Sequence, residues 1–158
     1  MPEPQELFAR MDDYVSFLAD LGDVAAEVLS AAMAEGKWSV LETVAHITAW
    51  DVSFLGTAVC VFEEGGRPAL ADDVDYQAFN ERAAAVGRTQ RKEQLLSEAV
   101  QARVQLLDHL RRLPAEAFLV THQGETTTDL VEFLERNFVS HDRHHVERIR
   151  TYLMAALP

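Results

Sequence analysis

The sequence predicts an all-α protein, and more specifically a four-helix bundle. Apolar residues recur at steps of three and four along nearly the whole chain, as on one face of an α-helix. No segment shows the sustained alternation of apolar and polar residues that is typical of a strand. The 158 residues, 48% hydrophobic and 25% charged, have the length and balance of one globular domain, which we expect to span residues 1–158.

The first two long helices are predicted from an apolar stripe and a capping motif. The stripe runs continuously over residues 7–32 and predicts one helix that ends near Gly36. The second helix opens at Ser39, because the sequence Ser39-Val-Leu-Glu42 has the form of a capping box. We expect it to end near Glu64, before the turn residues 65–68.

A loop and a third long helix are predicted for the middle of the chain. Residues 67–74 have the composition of a loop, and residues 75–86 have a helical pattern that breaks or kinks at Gly87. The pattern resumes over residues 96–113, where Pro114 ends it.

The last helix is predicted after a polar loop around residues 122–128. It begins near residue 128 or 129 and continues to about Ala156. At about 100° per residue, His141 and His145 lie in the middle of its apolar stripe, one turn apart, and His144 lies at the margin.

Charge and cysteine content exclude several classes of protein. The 14 Lys and Arg against 26 Asp and Glu give a net charge of −12, which argues against direct nucleic-acid binding and against binding to anionic membranes. The single cysteine, Cys60, excludes an internal disulfide and fits a reducing compartment. The N-terminus lacks the features of a signal peptide, and no uncharged run is long enough to span a membrane. We therefore expect a cytoplasmic protein.

The histidines on two helices indicate a metal site. Two imidazoles at positions i and i+4 of one helical face can bind a single metal ion, although a lone core histidine more often bonds to a carbonyl. His46 on the second helix shares a face with Trp50 and Cys60 and supplies a third inward imidazole. A bundle that gathers His46, His141 and His145 leaves a fourth position for water or substrate, and the choice among Zn, Ni, Cu and Fe stays open.

Three rival motifs are weaker. The sequence His141-Asp-Arg-His-His145 resembles the H-E-x-x-H motif of zinc proteases, but Asp142 replaces the glutamate base and points about 100° away from His141. The His-Asp dipeptide of HD phosphohydrolases is too short to be informative. Cys60 could be a nucleophile, although a small buried role is more common.

Two segments carry a family resemblance. The sequence KWSVLETVAHITAWD over residues 37–51 resembles the second-helix signature of the DinB/YfiT-like superfamily. The sequence SHDRHH over residues 140–145 resembles its last-helix H-x-x-H-H signature, and the segment over 75–80 is similar to members as well. The resemblance covers essentially the whole chain.

The resemblance implies a fold and a site. It implies a bundle in up-down-down-up order, with a long crossover between helices 2 and 3. It implies a divalent metal, usually Zn or Ni, held by His46, His141 and His145, with His144 beside them. The superfamily includes mycothiol-dependent maleylpyruvate isomerase, bacillithiol and mycothiol S-transferases, and members without known activity.

Carboxylates near the histidines could orient the imidazoles. Asp51, Asp142 and Glu42 are the candidates for accepting the second N–H of a metal-bound imidazole. For Glu42 the capping box is already a sufficient explanation.

Four further side chains are candidates for a substrate pocket. Trp50 and Tyr152 are expected to face the same interior as the histidines and could form its wall. Asn137 and Arg148 lie about 40° and 20° from His141 on the helical projection, and Arg148 could bind an anionic group of a substrate.

The second helix is apolar nearly all round, which indicates full burial or a shared interface. We expect a homodimer through this helix. The apolar residues on its side away from His46 are Val40, Leu41, Val44, Val52, Leu55, Val59 and Phe62.

These observations favour a metal-dependent, thiol-using S-transferase or related detoxification enzyme, acting on a small-molecule electrophile with a low-molecular-weight thiol as co-substrate. The thiol comes from the resemblance, because a three-histidine metal could also activate water. A metal-binding stress-response bundle without catalysis and a metallohydrolase are the alternatives.

Overall fold

The computed structural model describes residues 2–66, 75–119, 121–123 and 127–158. A π-helical turn, Leu55–Val59, joins α3 to α4, and a second, Glu135–Ser140, joins α8 to α9. The helices in this part of the chain are α1 (Pro4–Leu21), α2 (Ala26–Ser30), α3 (Val40–Phe54), α4 (Cys60–Glu63), α5 (Tyr76–Thr89), α6 (Lys92–Arg112), α7 (Ala115–Leu119), α8 (Leu130–Leu134) and α9 (His141–Ala156).

Four long helical segments form the bundle: α1, α3 with α4, α6, and α8 with α9. One apolar core contains the start of α1, the end of α3 with α4, the end of α6 and the start of the last segment. A second core contains the end of α1, the start of α3, the start of α6 and Ile149 of α9. The first and last segments therefore run in one direction and the middle two in the other. This confirms the up-down-down-up bundle, whose long crossover includes α5.

The first helix is shorter than the sequence predicts. Helix α1 ends at Leu21, and the short α2 follows after a turn. The prediction of one continuous helix over residues 7–32 is therefore wrong. The ammonium group of Lys92 donates to the carbonyl oxygens of Gly22 and Val24, at 3.0 and 2.9 Å. These contacts from α6 satisfy backbone carbonyl groups at the turn. Because Lys92 is distant in sequence, the spacing of apolar residues in the N-terminal stripe does not predict them.

The second helix begins as predicted and contains an unpredicted π-helical turn. The hydroxyl of Ser39 accepts from the Glu42 amide at 3.1 Å, and the Glu42 carboxylate accepts from the Ser39 amide at 2.6 Å, which completes the capping box. An inserted residue in a π turn rotates the following helix by roughly 100° relative to the preceding one. Cys60 therefore lies beside Glu63 and His109, and the prediction that it shares a face with His46 is wrong.

Gly87 lies inside a helix and does not break it. Helix α5 continues to Thr89, and the chain turns only before α6. A Cβ atom at Gly87 would lie 2.6 Å from the Cα of Glu42 and 2.7 Å from the carbonyl oxygen of Leu41. The glycine therefore permits the close approach of α5 to α3.

Gly87→Ala is expected to destabilise the fold by about 1–3 kcal/mol, because the added methyl group would push two backbones apart. The higher helix propensity of alanine, about 1 kcal/mol, offsets only part of this loss. Urea unfolding would measure the change. Gly56→Ala is the matched control, since a Cβ atom there meets nothing within 4 Å. Equal stability of the two variants would contradict a close helix contact at Gly87.

The secondary structure of the last part of the chain largely matches the prediction, apart from two short strands. Strands β1 (Thr121–Gln123) and β2 (Thr127–Asp129) pair antiparallel, where the sequence indicated only a polar loop. The Asp129 carboxylate accepts from the Glu132 amide at 2.7 Å and caps the last helical segment, whose start is confirmed. The loop predicted over residues 67–74 lies outside the described residues.

The second long helix is covered by its own chain. Helices α5 and α6 pack against α3. Seven apolar residues of this helix were assigned to a dimer surface. Val52 has 59% of its surface exposed, and the other six are buried or partly buried. The stretch Val40–Glu63 is long and apolar enough to cross a membrane, a test that core helices of soluble proteins also pass. Burial within the bundle accounts for its apolar character.

Candidate metal centre

Three imidazoles from two helices meet inside the bundle. His46 lies on α3, and His141 and His145 lie in the first two turns of α9. Nε2 of His141 lies 3.1 Å from Nε2 of His46 and 3.1 Å from Nε2 of His145. The structure thus brings together the three histidines that the sequence singled out. His46 is buried and the other two are partly buried, so the cluster is partly accessible to solvent.

The local backbone of the last helix differs from the uninterrupted α-helix assumed above. The π-helical turn Glu135–Ser140 ends directly before His141. Turns of this kind occur often at functional sites, and they rotate the following helix by roughly 100° relative to the preceding turns. Both histidines follow the π turn, so their spacing of one α-helical turn is preserved.

The geometry of the three nitrogens fits a divalent metal. In a tetrahedral zinc site with Zn–N distances near 2.0–2.1 Å, two ligand nitrogens lie about 3.3 Å apart. The two measured separations of 3.1 Å are close to this value. A neutral imidazole carries only one N–H, so hydrogen bonds among these rings cannot satisfy all of them well. A shared cation would satisfy the three Nε2 atoms together.

The protonation state of the histidines also suits metal binding. Burial, followed by the neighbouring His141, lowers the pKa of His46 to about 4. Burial, followed by His141 and then His46, lowers the pKa of His145 to about 3. Burial is also the main cause that lowers the pKa of His141. At neutral pH all three rings are therefore neutral, which is the form that binds metal.

An asparagine missed in the sequence connects α5 to this centre. The indole N–H of Trp50 donates to Oδ1 of Asn80 at 2.9 Å, and the Asn80 side chain, as an acceptor near His46, raises the pKa of His46 against the effect of burial. Nδ1 of His46 is buried and has no partner of full hydrogen-bond geometry in the described chain. Asn80 lies in the segment over 75–80 that carried part of the family resemblance, which was the available signal.

The two aspartates beside the histidines bind an arginine. The guanidinium of Arg103 donates two hydrogen bonds of 2.9 Å to Asp51 and two, of 2.7 and 3.4 Å, to Asp142, and all three side chains are buried. Both carboxylates are thus engaged by Arg103, and no hydrogen bond to an imidazole is seen for them among the described residues. We name Arg103, Asp51 and Asp142 the buried triad. It ties α6 to the two helices that carry the histidines.

Within the buried triad, the attraction between Arg103 and the two carboxylates favours the charged forms, and burial opposes them. Burial alone would lower the pKa of Arg103, but the two carboxylates raise it above its usual value. Burial raises the pKa of Asp51 to about 6, and Arg103 opposes this rise. Arg103 lies within the helical pattern over residues 96–113, and the sequence analysis did not identify it as a functional residue. The sequence feature that could have identified it is a charged residue at an apolar position of the helical pattern.

Two other predicted residues lie away from the imidazoles. The Glu42 carboxylate caps α3 and accepts from Nε of Arg88 at 2.6 Å. Asn137 is exposed in the π turn, where its amide donates to the carbonyl oxygen of Phe133 at 3.1 Å. Neither residue forms a hydrogen bond to the histidines.

Three of the four remaining predicted residues, His144, Arg148 and Tyr152, line a groove beside the centre. His144, whose ring lies 5.5 Å from that of His145, lines a cavity of about 460 Å³ together with Lys37, Arg148 and Tyr152. The Tyr152 hydroxyl donates to the carbonyl oxygen of Val28 at 2.7 Å. Trp50 instead packs against Phe79, with ring centres 4.3 Å apart. Trp50 and Tyr152 thus pack against different parts of the chain.

Comparisons with known proteins agree with this architecture. YfiT from Bacillus subtilis, described as a probable metal-dependent hydrolase with an unusual four-helix bundle topology, aligns with a TM-score of 0.75 and 18% identity, covering 97% of this chain and 87% of YfiT. An uncharacterised protein from Clostridium difficile 630 aligns with a TM-score of 0.72 and 15% identity, covering 99% of each chain. No curated protein matches the sequence. The family model of the DinB superfamily matches residues 7–149, and the chain therefore belongs to the DinB superfamily.

Proposed function

We propose that the protein is a divalent-metal-dependent enzyme that transfers a low-molecular-weight thiol to a small electrophile. His46, His141 and His145 are the metal ligands, with Zn²⁺ or Ni²⁺ as the metal. The observation that carries this proposal is the convergence of three Nε2 atoms from two helices, with two of the three residues only partly buried. Three protein ligands with a free fourth position are typical of catalytic metal sites.

The neighbouring carboxylates support a thiol as the nucleophile. A divalent ion in this centre would lower the pKa of a thiol or a water molecule bound to it. Glu42, Asp51 and Asp142 are each paired with an arginine, so none of them is free to act as a base toward water. A free thiol has a pKa of about 8.5, far below that of water, and therefore needs less help to lose its proton.

The groove beside the centre supports an anionic co-substrate. Lys37 and Arg148 provide two cations in the groove against the single carboxylate of Glu147, and Arg148 could bind a carboxylate group there. In the transfer, the thiol loses its proton to solvent, its sulfur forms a bond to the electrophilic carbon, and the leaving group departs with the bonding electrons.

Hydrolysis is the second candidate function. It is favoured by the description of YfiT as a probable metal-dependent hydrolase, because that protein shares this fold. In this reaction the open position would take a water molecule in place of a thiol.

The two reactions are separated by their need for thiol. Metal-loaded protein is expected to consume 1-chloro-2,4-dinitrobenzene when glutathione, cysteine or bacillithiol is added, and His141→Ala is expected to lose this consumption. Substrate loss would be followed by absorbance, with 4-nitrophenyl acetate as a parallel substrate for hydrolysis. Ester cleavage without thiol would favour the hydrolase. Loss of neither substrate would contradict both enzymes and favour a metal-binding bundle.

The expected partners are small molecules, in a protein we propose to be cytoplasmic. The net charge of −12 supports the absence of direct nucleic-acid binding.

A homodimer through the second long helix stays a prediction, with Val52 as its exposed apolar residue. Sedimentation at high micromolar concentration is expected to show a dimer, and a monomer there would contradict it.

A further inference from the structure

A second group of metal-binding side chains lies apart from the three histidines. Cys60 and Glu63 on α4 and His109 on α6 each offer one donor atom, and these atoms lie within 4.8 Å of one another. Nδ1 of His109 lies 2.8 and 2.9 Å from the two carboxylate oxygens of Glu63. We name these three residues the cysteine cluster. It shares no residue with the metal centre described above.

The cysteine cluster lies at the other end of the bundle from the histidines. Phe62 of α4 and Leu110 of α6, which flank the cluster in sequence, belong to the first apolar core. Ala45 and Ile47, on either side of His46, belong to the second. An ion in the cysteine cluster would therefore have its own set of ligands.

The backbone arranges these side chains toward one another. Cys60 and Glu63 are three residues apart on one helix and thus lie on the same face. The π turn before Cys60 rotates this face away from His46, as described above, and brings it against α6. The positions of all three donors are therefore set by regular helices.

The cysteine cluster is also accessible. Cys60 and His109 are partly buried and Glu63 is exposed, so an ion can enter from solvent. Arg112 is the nearby competitor for Glu63, but its nitrogen is 3.7 Å from the carboxylate and 62% of its side chain is exposed. It can turn into solvent when a cation binds.

The donor types indicate which ion would bind. A thiolate, an imidazole nitrogen and a carboxylate oxygen are the three donor types that zinc takes in proteins. Magnesium and calcium prefer sites built from oxygen alone, whereas a thiolate selects thiophilic metals. We propose that Cys60, Glu63 and His109 bind one thiophilic divalent ion of the Zn²⁺ type. Binding releases the thiol proton to solvent and leaves a fourth position for water.

A cobalt titration of the whole protein tests this proposal. Cys60 is the single cysteine of the chain, so any thiolate-to-cobalt charge-transfer band in the near ultraviolet must come from this residue. We expect the band to grow with added Co²⁺ in a non-thiol reductant and to saturate at one equivalent of cysteine-bound metal. Cys60→Ser is expected to abolish the band completely while the three-histidine centre still binds cobalt.

Variants of the other two ligands show whether the cluster acts as a unit. His109→Ala and Glu63→Gln are each expected to weaken the cobalt affinity read from this band by at least about tenfold. Glu64→Gln, which changes the adjacent exposed carboxylate, is the matched control and is expected to leave the affinity unchanged. No band under excess cobalt, or a band that His109→Ala and Glu63→Gln leave unaffected, would overturn the proposal. Neither result bears on the three-histidine centre.

Discussion

Arg103→Met is expected to destabilise the protein by about 3–5 kcal/mol, the largest loss of stability that we predict for a single substitution. The methionine side chain keeps much of the length of arginine but leaves the carboxylates of Asp51 and Asp142 buried without a partner. Both side chains of the Arg103–Asp51 pair have no exposed surface, so water cannot replace the lost contacts. Urea unfolding followed by circular dichroism would measure the change.

Two controls separate charge from packing in this experiment. The triple variant Arg103→Met, Asp51→Asn and Asp142→Asn is expected to recover a large part of the loss, because it removes the buried charges together. Arg136→Met breaks an exposed pair with Glu132, one helical turn apart, and is expected to cost no more than about 0.5 kcal/mol. A change below about 1 kcal/mol for Arg103→Met would contradict the structural role of the buried triad.

His141→Ala is expected to remove the metal from the three-histidine centre. Nε2 of His141 is the atom that approaches both other imidazoles, so its loss leaves two ligands on different helices. The loss of affinity should exceed the roughly 10- to 100-fold that removing an outer hydrogen-bond partner costs. Elemental analysis after metal-replete expression should show near one metal per chain for the parent and less than about a tenth for the variant.

The metal content should be measured in proteins in which only the three-histidine centre can bind metal. Both proteins should carry Cys60→Ser, so that metal in the cysteine cluster does not contribute. His144→Ala is the matched control, because His144 is an exposed neighbour on the same helix and is expected to retain the metal. Equal metal content in the His141→Ala and parent proteins would overturn the assignment of the ligands.

Much of the helical architecture follows from local sequence rules. The capping box at Ser39 fixes the start of the second long helix, and Asp129 fixes the start of the last one, because each side chain bonds to a nearby backbone amide. The spacing of His141 and His145 also survives, since both residues follow the π turn. These features depend only on neighbours in the chain.

Side chains that interact across helices were predicted less well. Asp51 and Asp142 were predicted to accept hydrogen bonds from the imidazoles, but in the structure their partner is Arg103, which lies on a different helix. Gly87 was predicted to break or kink its helix, whereas in the structure it allows the backbone of α3 to approach α5 closely. In both cases the partner is dozens of residues away, and periodicity carries no information about it.

The sequence by itself determined that the protein is a helical bundle and singled out His46, His141 and His145 as the candidate metal ligands. Both conclusions rest on residue type and on the α-helical repeat, which are local properties. Only the tertiary structure decided that Arg103 holds the two aspartates and that Cys60 meets Glu63 and His109. The physical reason is that both sets of contacts join helices distant in sequence, so they depend on helix packing, and that the π turn before Cys60 changes which face of its helix that residue occupies.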